Sequence, residues 1–82
     1  MHYDVDALDE VVLALLHLTS FSDHGVTRSW KSHDWEVLAR LYEQGLISDP
    51  KSKARSVVLS EEGVKKARSL FEKHFVNERS GR

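Results

Sequence analysis

The chain has 82 residues, of which 40% are hydrophobic and 30% charged, with a formal net charge of −1 and no cysteine. That length allows one core and excludes two domains, the composition is too apolar for a disordered chain, and the lack of thiols excludes a disulfide framework or a cysteine-ligated zinc site. Oligomerisation is then the remaining way to reinforce a small core, so a homodimer is expected.

The near-zero charge hides a polarised chain. Residues 1–50 hold three basic residues, Arg28, Lys31 and Arg40, against nine acidic ones, whereas residues 51–82 hold nine basic residues against four. Such a layout attracts an anionic partner to the C-terminal part, or a second copy head to tail. The longest apolar stretch, Val11 to Leu16 with Leu18 beyond His17, is far shorter than the roughly 20 residues of a membrane span. The acidic residues beside it lack the positive start of a secretory signal, and a cytoplasmic protein without membrane contact is expected.

Asp4 caps a first helix running to about Leu18. Val5, Leu8, Val12, Leu15 and Leu16 recur at helical spacing, and Asp6, Glu10 and His17 form the polar stripe. Leu13 falls inside that stripe and, with Val11, widens the apolar arc beyond what one core uses. This makes the first helix either a central helix packed on two sides or a self-association face, with Leu13 and Val11 as the expected dimer contacts. From Thr19 to Ser32 no period is sustained, and a loop with at most a short extended piece is expected.

The spacing predicts a second helix from His33 or Asp34 to Gln44, with Trp35, Leu38, Leu41 and Tyr42 on one face and Glu36 paired to Arg40 on the other. Gly45 ends it, letting Leu46 fold back against Leu41. Ile47 begins a short strand, Asp49 and Pro50 turn the chain, the basic stretch Lys51 to Arg55 follows, and Ser56 to Leu59 return as a second strand. Ser60 caps the last helix, Glu61 and Glu62 fill its first turn, and Val64, Ala67, Leu70, Phe71 and Phe75 supply its apolar face. The core aromatics on this reading are Trp30, Trp35, Tyr42, Phe71 and Phe75, with Trp35 packed on the first helix and Trp30 pinning the long loop.

The run Leu41-Tyr42-Glu43-Gln44-Gly45-Leu46-Ile47, the basic turn, and then Val57-Val58-Leu59-Ser60-Glu61-Glu62-Gly63 resemble the second half of bacterial winged-helix regulators. In that family a helix ending in Gly-Leu-Ile leads into a two-stranded wing, and a Leu-Ser/Thr-x-x-Gly step opens the next helix. With Trp30, Lys31, Asp34, Trp35 and the acidic first helix, the whole chain also resembles a family of short uncharacterised bacterial proteins. The resemblance implies a mainly α fold with a small β-hairpin, winged-helix-like, with three main helices and a two-stranded wing. Residues 1–76 form the domain and residues 77–82 a flexible tail.

The resemblance also implies duplex DNA as partner. Phosphate contacts then lie on the wing at Lys51, Lys53 and Arg55, joined by Arg28 and Lys31, and Arg40 is the one cation on the helix that would enter the major groove. Two features oppose it. Thr19 to Ser32 does not read as the short helix that precedes a recognition helix, and Asp34, Glu36 and Glu43 make the reading helix acidic, which repels phosphate. The second reading is therefore a protein interaction module that keeps the fold without DNA binding.

No catalytic centre or cofactor is expected. The serines sit in no nucleophile elbow or glycine-rich phosphate loop, and nothing distinguishes a carboxylate pair from charged surface. His24 beside Asp23 and His33 beside Asp34 lack the helical histidine pair of a zinc site, and His17 and His74 read as solvated.

Overall fold

A computed structural model describes residues 2–76. The elements in chain order are helix α1 (Val5–Leu18), strands β1 (Phe21–Asp23) and β2 (Val26–Trp30), helix α2 (Trp35–Glu43), strand β3 (Ser56–Leu59) and helix α3 (Glu61–Phe75). The fold is thus mixed α/β, with three helices and one antiparallel sheet in the order β1-β2-β3. Residues 77–82, expected to be a flexible tail, lie outside the described residues.

The helix ends follow their local chemistry. The Asp4 carboxylate accepts from the Ala7 N–H at 3.1 Å, that of Asp34 from the N–H groups of Glu36 and Val37, and the Ser60 hydroxyl from Gly63 N–H at 2.9 Å. Each side chain thereby satisfies a backbone donor that has no partner within its own helix. Gly45, at φ +78°, ends α2 as expected. The N–H of Leu46 returns to the Leu41 carbonyl at 3.0 Å and that of Gly45 to Tyr42 at 2.9 Å, a double closure that buries Leu46 beside Leu41.

Within Thr19 to Ser32, where a loop with at most a short extended piece was expected, Phe21 to Trp30 form a β-hairpin. Asp23 pairs with Val26 across a two-residue turn, His24 at φ +52° and Gly25 at φ +83°. Positive φ at both central residues gives the turn whose twist matches that of the flanking strands. The expected two-stranded wing is correspondingly reduced. Ile47 meets Leu59 in a single bridge, Ser48 N–H reaches the Val58 carbonyl, and β3 pairs along its whole length with β2.

Helix α1 lies centrally and packs against α3, α2 and β2. Its Val12, Leu13, Ala14 and Leu16 join Val37, Leu38 and Leu41 of α2, Leu46, Ile47, Val57, Leu59, and Ala67 and Leu70 of α3 in one buried cluster. Leu13 is 1% exposed, so it belongs to the chain's own core and is not placed as the expected dimer contact, while Val11 is half-buried. The polar stripe of α1 is also covered in part. His17 stacks on Phe71 with ring centroids 5.2 Å apart, and Glu10 meets His74 and Lys73 of α3. Neither His17 nor His74 is the freely solvated group the pattern suggests.

Both tryptophans depart from their expected burial, Trp30 being 50% and Trp35 59% exposed. On β2 the strand alternation turns Thr27 and Ser29 inward, and Ser29 is wholly buried with its hydroxyl 2.7 Å from that of Thr19 at the end of α1. Trp30 is left on the outer face. In α2 the buried arc is Val37, Leu38 and Leu41, from whose centre Trp35 and Tyr42 lie roughly 110° and 90° round the helix. Tyr42 and Phe75 are also about half exposed, whereas Phe71 packs against the core as expected.

Candidate functional site

The outer face of the sheet and the loop between α2 and β3 meet at one end of the molecule. Phe21 and Arg28 are cross-strand partners, as are Trp30 and Ser56, so all four share the outer face. The rings of Phe21 and Trp30 stack with centroids 4.9 Å apart and an interplanar angle of 33°. Arg28 lies across this face, its guanidinium donating to Ser56 Oγ at 3.0 Å with Asp23 at 3.6 Å, and about a quarter of the side chain stays exposed. Phe21 was not singled out in the sequence, and Trp30 was read as a core residue instead of its partner on an outer face. Their signal is the alternation of Phe21, Asp23, Val26, Arg28 and Trp30 about the His24-Gly25 step.

The basic loop is built from short-range contacts. The Asp49 carboxylate accepts from Lys51 N–H at 2.9 Å and its carbonyl from Ser52 N–H, while Pro50 is buried. Lys31, which follows Trp30, sends its ammonium to the carbonyls of Pro50 and Ser52, each at 2.7 Å, and its N–H to the Arg55 carbonyl at 3.1 Å. Lys31 is thus a structural tie at the base of the loop. Lys51, Lys53 and Arg55 are exposed, and among the described residues none of them has an ion-pair partner. Five of the six expected nucleic-acid-binding cations, Arg28, Lys31, Lys51, Lys53 and Arg55, therefore gather at this end of the sheet.

Arg40 is separated from them. Its Nε and a terminal nitrogen donate to the two carboxylate oxygens of Asp9, both at 2.7 Å, tying α2 to α1. Asp9 is buried, and its hydrogen bond holds the Arg40 guanidinium's pKa above the ordinary arginine value. The expected Glu36–Arg40 surface pair is replaced by this fork, and Arg40 is not the free base-reading cation of a recognition helix. The overlooked signal is Asp9 itself, an acid on the stripe of Val5, Val12 and Leu16 at offsets of four, seven and eleven.

Two concavities flank these groups. A polar pocket of about 240 Å³ between the helices is lined by Asp6, Asp9, Glu10, Gln44 and Lys66 over Leu13, Leu41, Leu46 and Leu70. An open apolar groove of about 440 Å³ runs between Trp35, Glu36 and Ala39 of α2 and Pro50 and Lys51 of the loop. His33, between the two tryptophans, has a buried Nε2 without a hydrogen-bond partner among the described residues, and burial lowers its pKa. Where α1 meets α3, the His74 hydrogen bond first and Lys73 second hold the Glu10 carboxyl below its usual range. No helix among the described residues is long and apolar enough to cross a membrane, and no three of their His, Asp and Glu side chains are grouped as metal ligands.

The chain is 44% identical over 75 residues to an uncharacterised protein, y4hR, of Sinorhizobium fredii, covering 92% of this chain and 97% of that one. No solved structure matches it significantly. The family model described as "Domain of unknown function (DUF6429)" matches residues 4–77. A match over nearly the whole described chain, joined to a relative of nearly the same length, makes this protein a member of the DUF6429 family.

Proposed function

We propose that this protein is a small nucleic-acid-binding module that holds phosphates with the loop of Lys51, Lys53 and Arg55. The observation that carries the reading is the meeting of those three exposed cations, which have no ion-pair partner among the described residues, with Arg28 and the stack of Phe21 on half-exposed Trp30 at one end of the sheet. A phosphate backbone releases counterions when cations approach it, and this supplies sequence-independent affinity. Of the winged-helix resemblance, the basic loop after α2 is the part that supports a regulator-type role. The acidic α2 does not, since its one cation is committed to Asp9.

A second reading, a protein interaction module, has its own support in the apolar groove between Trp35, Ala39 and Pro50. Titration of labelled single-stranded and duplex oligonucleotides across salt concentrations separates the two. The logarithm of affinity should fall with that of salt, and replacing Lys51, Lys53 and Arg55 with alanine should shrink the slope by about 2 to 3. Absence of binding to either form at low salt would overturn the nucleic-acid reading and favour the groove.

A further inference from the structure

We infer that the preferred ligand is single-stranded nucleic acid, with an unpaired base stacked on the Phe21–Trp30 pair while the neighbouring phosphates lie along the Lys51–Arg55 loop; this rests on the phosphate-binding reading above. The first ground is geometric. Phe21 and Trp30 form a tilted stack on the outer face of the sheet, and Trp30 is half exposed. The inner face of the same strand holds buried Ser29, so the core makes no use of the indole.

The second ground is the placing of charge around those rings. Arg28 is the cross-strand partner of Phe21, and Arg55 immediately precedes Ser56, the partner of Trp30. Asp23 and Ser56 hold the Arg28 guanidinium across the face, which keeps it beside the ring instead of free in solvent. An aromatic surface bordered by cations suits a ligand that offers flat apolar rings and anionic links in alternation.

The third ground decides between strand forms. A duplex buries the faces of its bases in its own stack and is read through its grooves by a protruding helix or ribbon carrying cations. The only cation of α2 is locked in a fork to Asp9, and its other charged side chains, Glu36 and Glu43, are exposed acids. An open aromatic pair gains little from a duplex, whereas a single strand presents a free face at every base, in DNA and RNA alike.

The test compares oligothymidine, oligouridine, the same thymidine strand with its bases removed, and a duplex, all at equal phosphate content and low salt. Because the chain has two tryptophans, a Trp35→Phe background makes Trp30 the sole indole emitter. Its fluorescence should be quenched by both base-bearing single strands, and unmoved by the abasic strand and the duplex. Trp30→Leu, which keeps apolar cover over Phe21, should weaken single-strand binding roughly 5- to 150-fold without changing the salt slope, and Trp30→Phe should restore most of it. Equal affinity for oligothymidine and oligouridine supports recognition of the base face, and a preference for either adds contacts to its sugar or to the thymine methyl while keeping the stack. Equal affinity for abasic and base-bearing strands, duplex affinity matching or exceeding that of the single strand, or full binding by Trp30→Leu would overturn the inference and leave the phosphate reading standing. No binding to any of the four would overturn both.

Discussion

Replacing Gly63 with alanine sets two opposing effects against each other at the start of α3. In an exposed helix the change should stabilise by about 1 kcal/mol, because glycine loses more backbone entropy on folding. Here an added Cβ would run into the Leu46 carbonyl, with its carbon at 3.0 Å and its oxygen closer, and would lie 3.2 Å from Ser60 Oγ. The obstacle is backbone, held in place by its own bonds. Leu46 O accepts from the Ser60 N–H at 3.0 Å, and the Ser60 hydroxyl donates to Gly45 O at 2.7 Å while accepting from Gly63 N–H. Relief requires α3 to back away from the end of α2, which strains the cap and loosens Ala67 and Leu70. Overpacking of about 1 to 3 kcal/mol, with one or two hydrogen bonds at about 1 kcal/mol each, outweighs the propensity gain and leaves roughly 1 to 4 kcal/mol of destabilisation. In a domain this small each kcal/mol lowers Tm by about 4 to 8 °C. Thermal melts of Gly63→Ala should therefore fall well below those of wild type, while Ser69→Ala, on the exposed side of the same helix, should melt at or slightly above it. A Gly63→Ala protein as stable as Ser69→Ala would show that the contact with Leu46 is not close, and the reasoning would fail.

Leu13→Glu should unfold the domain instead of producing a folded monomer, because the carboxylate would enter a wholly buried site without a partner; circular dichroism of a folded variant would contradict this. Trp35→Ala should cost about 1 kcal/mol or less, whereas Leu38→Ala should cost about 2 to 5, and urea titration of both variants checks the order. Asp9→Ala should lower Tm more than Asp4→Ala even though both sit near the start of α1, since it strips the Arg40 fork; a double-mutant cycle with Arg40→Ala reads the coupling directly. Burial lowers the His33 pKa in the folded state, so the unfolded chain takes up its proton first. Stability linked to His33 is full above the ordinary histidine value of 6.5 and is lost as pH falls below it, and melts of His33→Leu should lack that component.

The helix ends and the closure of α2 were legible because they depend on neighbours in the chain. Asp4 and Ser60 satisfy backbone donors within three residues, as does Asp34, which the spacing leaves as a possible first residue of α2, and Gly45 supplies a positive φ that a β-carbon disfavours. Val12 and Leu16 of α1 and Ala67 and Leu70 of α3 were likewise visible in their spacing, as was the gathering of positive charge at Lys51 to Arg55, but Leu13, on the polar stripe by periodicity, reaches the core because α1 is packed on more than one side. The hairpin at Phe21 to Trp30 was legible only in part, since a short alternation of apolar and polar residues becomes a strand when a second strand pairs with it. Here β3, about thirty residues later, supplies that pairing.

Tertiary structure alone decided which aromatic residues face inward. Periodicity fixes angles between side chains on one element but not how the element is turned toward its neighbours. A sheet face lined by Ser29 and a helix face centred on Val37, Leu38 and Leu41 left Trp30 and Trp35 outside. The same applies to charge. Asp9 and Arg40 lie 31 residues apart, and only the crossing of α1 with α2 makes them a fork, which removes Arg40 from the cations available to a ligand. Packing of distant segments likewise carried Arg28 and Trp30 to the base of the Lys51–Arg55 loop, because pairing of β2 with β3 joins the two at one end of the sheet.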